Sequence, residues 1–174
     1  MKKIFLNVSL ILMLVLPFTG FSISLNDVFQ NAPAMAGYDK VLMLDPDSVY
    51  TGGITIWNQK VAIWGNGATI DLQNSSIIAI GTGVLDIDGC AIINGTAGIN
   101  VNDEVHAIVS NCVLYNNYNG IEHNSTRAMI RVYNTIFMQN QHYGLYTKEE
   151  NLTYLEYNVA FNNLDGHYMA GCGS

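Results

Sequence analysis

The stretch Ile87-Asp-Gly-Cys-Ala-Ile-Ile-Asn94 recurs as Val109-Ser-Asn-Cys-Val-Leu-Tyr-Asn116, Val132-Tyr-Asn-Thr-Ile-Phe-Met-Gln139 and Leu155-Glu-Tyr-Asn-Val-Ala-Phe-Asn162. The starts are 22, 23 and 23 residues apart. After each segment a glycine-containing turn leads into a second short strand, beginning Gly98-Ile99, Gly120-Ile121, Gly144-Leu145 and Gly166-His167. A period this short leaves little room for a helix and a strand in every unit, and the framework of leucine-rich repeats, which share the period, is absent. What fits is a coil of three short strands and three turns, stacked on its neighbours about 4.8 Å apart. The repeat therefore predicts an all-β, right-handed parallel β-helix of about five to six coils.

In such a stack equivalent residues lie above one another. Asn94, Asn116, Gln139 and Asn162 are expected to form an amide ladder, and Ile92, Leu114, Phe137 and Phe161 to fill the bore. Further strands read upstream at Lys40–Leu44, Gly53–Ile56, Val61–Trp64 and Ile77–Ile80. Before them, Ser24–Asn31 predicts a short capping helix with Ser24 or Asn26 as its N-cap. A helix there would cover apolar side chains and unpaired backbone at the end of the solenoid. At the start, Lys2 and Lys3 precede an apolar run, Ile4–Leu16, broken by Pro17 and followed by Gly20 and Ser22. This is the layout of a secretory signal peptide, too short to span a bilayer. The expected organisation is 1–22 signal peptide, 23–40 capping segment and 41–174 β-helix, incomplete at the carboxy end. Placement outside the cytoplasm follows, with no membrane association once the leader is cleaved.

The formal net charge is −7, and loss of Lys2 and Lys3 with the leader makes the chain more acidic. Phosphate backbones are repelled by such a protein, so nucleic acid is excluded as a partner. Of the three cysteines, Cys90 and Cys112 occupy equivalent positions in adjacent repeats, and Cys172 lies near the end. An odd number leaves at least one thiol without an intramolecular disulfide. The rise between coils is compatible with a Cys90–Cys112 disulfide, but parallel side chains favour buried thiols equally well.

The segments Asp27–Ala32, Gly37–Ile56 and Val61–Asp71 resemble the amino-terminal part of pectin-lyase-like β-helix proteins, in which a capping helix precedes a strand, a turn with Pro and Tyr, and a Gly-Asn-Gly turn. The later coils resemble the generic right-handed β-helix repeat. The resemblance covers nearly the whole chain after the leader. It implies this fold, and a superfamily that includes polysaccharide lyases, hydrolases, adhesins and tailspikes. Asn111–Ile121 is similar in layout to polygalacturonase-like hydrolases, but their paired aspartates fall here on Tyr118 and Asn119. The following coils offer His142 and Asp165, with Glu122 near. Inverting hydrolysis requires two carboxylates flanking the bond, so this set is incomplete.

A lyase would need a base, usually Arg or Lys, and a cation for the uronate carboxylate; the candidates for the base are Lys40, Lys60, Arg127, Arg131 and Lys148, of which Arg127 and Arg131 lie in one turn-and-strand region. The catalytic candidates are thus Glu122, Arg127, His142 and Asp165. For binding, the outward positions Asn100, Glu122, Tyr146 and Tyr168, flanked by Asn119 and Tyr143, combine amides and aromatic rings, which suit sugar hydroxyls and the C–H faces of sugar rings. No metal site is expected and no cofactor; calcium is the weak alternative, at Asp86 with Asp88 or Asp103 with Glu104, because neither pair supplies enough oxygens. The sequence reading is a secreted, carbohydrate-associated β-helix that binds a polysaccharide or other glycan without complete catalytic machinery. A polysaccharide lyase or glycoside hydrolase, and a structural solenoid associating end to end, are the alternatives.

Overall fold

The computed structural model describes residues 22–148 and 152–169. The leader expected at 1–22, apart from Ser22, and Cys172 lie outside them. The chain forms an all-β parallel solenoid of about six turns with one short helix near its start. Every coil passes through three parallel sheets of seven, six and six strands. Sheet 1 contains Ala91–Ile93, Val113–Tyr115, Ile136–Met138 and Val159–Phe161. Sheet 2 contains Ile77–Ile80, Ala97–Val101, Asn119–His123 and Tyr143–Thr147. Sheet 3 contains Thr82–Asp88, Glu104–Ser110, Met129–Tyr133 and Thr153–Glu156.

The repeat marks two corners of each coil. Asn94, Asn116, Gln139 and Asn162 hold the left-handed backbone conformation, with φ of 58°, 54°, 52° and 54°, at the turn from sheet 1 to sheet 2. Asn111, Asn134 and Tyr157 do the same at the turn from sheet 3 to sheet 1. Asparagine tolerates this conformation better than most side chains, which explains its abundance here. The expected amide ladder is present only in part: the Asn116 Nδ2–H donates to Asn94 Oδ1 at 2.8 Å. The continuous ladder runs one residue later, through Asn117, Asn140 and Asn163. The backbone N–H of Asn117 donates to Asn140 Oδ1, and that of Asn140 to Asn163 Oδ1, both at 3.0 Å. Their amide N–H groups donate back to the carbonyls of Ile92, Leu114 and Phe137. These buried polar groups thus satisfy one another from coil to coil.

The bore is filled by stacked aliphatic rows. Ile92, Leu114 and Phe137 pair in register and are fully buried. Phe161 does not join them. Phe137 pairs with Ala160, which places Phe161 beside Met138 on the outer face, 39% exposed. A second register difference occurs in sheet 2. Gly98, Gly120 and Gly144 stack so closely that a Cβ on Gly120 would lie 2.3 Å from the Gly144 carbonyl oxygen. Gly166, however, pairs with Tyr143 rather than Gly144, so Leu145 pairs with Tyr168. A shift of one residue in a strand exchanges its faces, and Tyr168 turns inward.

The helix Leu25–Asn31 starts at Ser24, whose side chain accepts the N–H of Asp27 at 3.2 Å. Leu25 and Phe29 are buried against the first coil, so the helix caps the bore. The segment after it lies on the outer face of sheet 3. There the Tyr38 hydroxyl donates to Asp86 Oδ2. That hydrogen bond, burial and the aspartate's negative charge push the Tyr38 hydroxyl up to about 12.

Candidate functional site

The site grows from the turn between sheets 1 and 2 and the outward face of sheet 2. Alternation along Ala97–Val101 and Asn119–His123 buries Ile99 and Ile121 and turns Asn100 and Glu122 outward, where the two pair directly across the strands. Three amides converge on Glu122. Asn119 Nδ2 donates to Oε1 at 2.6 Å, and Asn100 and Asn124 donate to Oε2 at 3.1 and 3.2 Å. The donors fix the carboxylate in place and treat it purely as an acceptor.

Asn119 couples this group to the next coil. It is 3% exposed, and its Oδ1 accepts the Tyr143 backbone N–H and faces His142 Nδ1, both at 3.0 Å. Because the Asn119 N–H group points at Glu122, the orientation of its amide is set, and His142 Nδ1 is the donor. His142 Nε2 lies 2.9 Å from Asp165 Oδ2. Glu122, Asn119, His142 and Asp165 therefore form one hydrogen-bonded chain across three successive coils.

Aromatic rings surround it. Tyr118 stacks on His142 with centroids 5.0 Å apart and planes 14° from parallel. Tyr143 meets the same imidazole edge-on at 4.5 Å, and Tyr146 lies 6.2 Å from Tyr143. Alongside runs a groove of about 630 Å³. Turn residues Asn74, Asn94 and Asn116 line one side, Asn100 and Glu122 the other, with Tyr118 and Gln141 at its end. Glu122 is the sole charged side chain among these described lining residues.

The structure thus brings together Asn100, Asn119, Glu122, Tyr143, Tyr146, His142 and Asp165. It separates two of the residues expected with them. Arg127 lies at the corner between sheets 2 and 3, in an exposed ion pair with Glu104. Tyr168 packs edge-on against Phe137 at 5.9 Å, a consequence of the register shift, and burial pushes its hydroxyl up. Sequence reasoning missed Gln141, Asn74 and the turn asparagines as lining residues, and noted Tyr118 only where a catalytic aspartate was lacking. The signal was available: Asn94 and Asn116 carry the repeat's left-handed turns, which project side chains to the surface.

Among the described residues no group of three or more His, Cys, Asp or Glu side chains comes together to hold a metal ion. The expected calcium pairs are engaged elsewhere: Asp88 Oδ1 accepts from Ser110 and Asn111, Asp103 Oδ2 from the Gly81 N–H, and Glu104 pairs with Arg127. Cys90 and Cys112 are free thiols, each 1% exposed in the bore. They are the soft donors that copper(I) prefers, but the metal ligand is the thiolate. Hydrogen bonding to Cys112 and burial push the Cys90 thiol far above its ordinary range. The Cys112 sulfur lies 3.0 Å from the Ser110 carbonyl, to which it donates. This sealed pair, with no third ligand beside it among the described residues, does not fit a copper centre.

The solenoid fold and a family-model match define a right-handed parallel β-helix of the pectin-lyase-like superfamily. More narrowly, the chain belongs to the NosD family, whose model, described as "Periplasmic copper-binding protein (NosD)", matches residues 27–173. No curated protein and no solved structure matches the chain.

Proposed function

We propose that this chain is an exported β-helix protein that binds a polysaccharide along the groove beside Glu122 without altering it chemically. The observation that carries this reading is the groove's lining: a row of amides, one immobilised carboxylate and the Tyr118 ring stacked on His142. Amides both donate to and accept from sugar hydroxyls, and a flat ring packs against the C–H face of a pyranose. Residence in the periplasm is supported by the family's printed description and by the basic, then apolar, leader. Copper, which that description also names, finds no fitting donor set among the described residues, so no step is assigned to it.

The enzyme reading draws on the Glu122–Asn119–His142–Asp165 chain, which joins two carboxylates through an imidazole. One screen separates the two. The purified protein is applied to an immobilised glycan array, and the same glycans are assayed for new reducing or unsaturated ends. Retention without new ends supports binding. New ends that disappear in Asp165→Asn would establish a glycan-cleaving enzyme instead, and no retention on any glycan would overturn the proposal.

A further inference from the structure

Glu122 also bears on which saccharide the groove accepts, an inference that rests on the groove being a glycan site. A carboxylate offers about four lone-pair positions. Three are taken by Asn119, Asn100 and Asn124, leaving one acceptor position on Oε1. The three donors hold the group still, so this remaining position is directed rather than averaged over rotamers. No lysine or arginine is among the described residues that line the groove. Arg127 is engaged with Glu104 at a different corner. A uronate entering here would meet a fixed negative charge with no lysine or arginine in the described lining to offset it, on a protein whose formal net charge is −7. An ammonium group would meet the opposite situation: a preoriented acceptor, an attractive local charge and a favourable field from the whole molecule.

We infer that the groove selects amino sugars, saccharides with a protonated ring-borne amine that Glu122 receives while Tyr118 stacks on the pyranose. Polyuronates are excluded by the same carboxylate.

Isothermal titration of the full chain tests this with four tetrasaccharides of equal length: β-1,4-linked glucosamine, its N-acetylated counterpart, β-1,4-linked glucose, and galacturonate. The N-acetylated ligand removes the charge without altering the protein. The glucosamine tetramer is expected to bind about tenfold more tightly than either neutral ligand, and to lose much of that margin at high salt. Galacturonate is expected not to bind. In Glu122→Gln the margin of the glucosamine tetramer over the neutral ligands disappears. Should that variant not fold, the comparison of glucosamine with its N-acetylated form carries the test alone. Equal binding of the amine and acetamide forms, a margin that survives Glu122→Gln, or binding of galacturonate would overturn amine selection and leave glycan binding standing. Binding to none of the four would overturn both.

Discussion

Asn140 is 1% exposed and makes its hydrogen bonds entirely to neighbouring coils. Its Oδ1 accepts the Asn117 N–H, and its Nδ2 donates to the Leu114 carbonyl and to Asn163. Asn140→Ala leaves a buried donor and a buried acceptor unpaired, so unfolding in denaturant is expected at a stability lower by about 2–4 kcal/mol. The sequence shows neighbouring amides at Asn116-Asn117 and Asn162-Asn163, and periodicity alone cannot say which member faces inward. The left-handed turn decides it: the first amide takes the strained backbone position and the second turns into the bore. Tyr38 supplies a pH test. Its hydroxyl is raised from 10.0 to about 12 because it donates to Asp86. The neutral form is favoured in the folded state, so its contribution is complete below about pH 10 and is lost as pH climbs towards 12. In thermal melts the gap between wild type and Tyr38→Phe is expected to close over this window, and a gap that widens there would contradict the assignment.

At the scale of the strand, register determines which side chains belong to the core and which to the surface. Leu155–Asn162 aligns with the earlier repeats so that Ala160 lies above Phe137, yet the larger Phe161 invites placement in the bore on hydrophobicity alone. The structure resolves this in favour of register. Phe137→Ala is expected to cost about 3–5 kcal/mol through lost contacts and a cavity, whereas Phe161→Ser is expected to change stability by less than about 0.5 kcal/mol. Chemical denaturation of the two variants checks both. The misplacement of Tyr168 has the same origin. Gly166 looks like the fourth member of the Gly98, Gly120, Gly144 series, but it pairs one residue earlier, and a strand of period two then presents its opposite face. The first three glycines were legible because each is forced by a backbone oxygen approaching within 2.5 Å of where its Cβ would be. No such contact fixes Gly166, whose φ of 156° differs from a tight turn.

For the whole molecule, a constant period of 22 to 23 residues was enough to specify the solenoid, because stacked coils leave few other ways to bury so many short apolar strands. The groove was less legible. Its walls come from turns and strands of several coils, and their convergence depends on which corner is left-handed rather than on any local motif. Asn100, Glu122 and Asn119 could be placed from alternation. Gln141 and the lining role of Tyr118 required the corner geometry, and Arg127, one of the few basic residues available as a lyase base, lies at a corner paired with Glu104. The scaffold holds Glu122, Asn119 and His142 on parallel strands and a rigid turn, so little rearrangement is expected on binding. The most direct test is a crystal structure of the protein with the tightest-binding tetrasaccharide from the titrations. The expected result is a pyranose stacked on Tyr118 with a substituent at Glu122 Oε1 and unchanged backbone around Asn119. A saccharide seated on another face, with the groove beside Glu122 untouched, would contradict it.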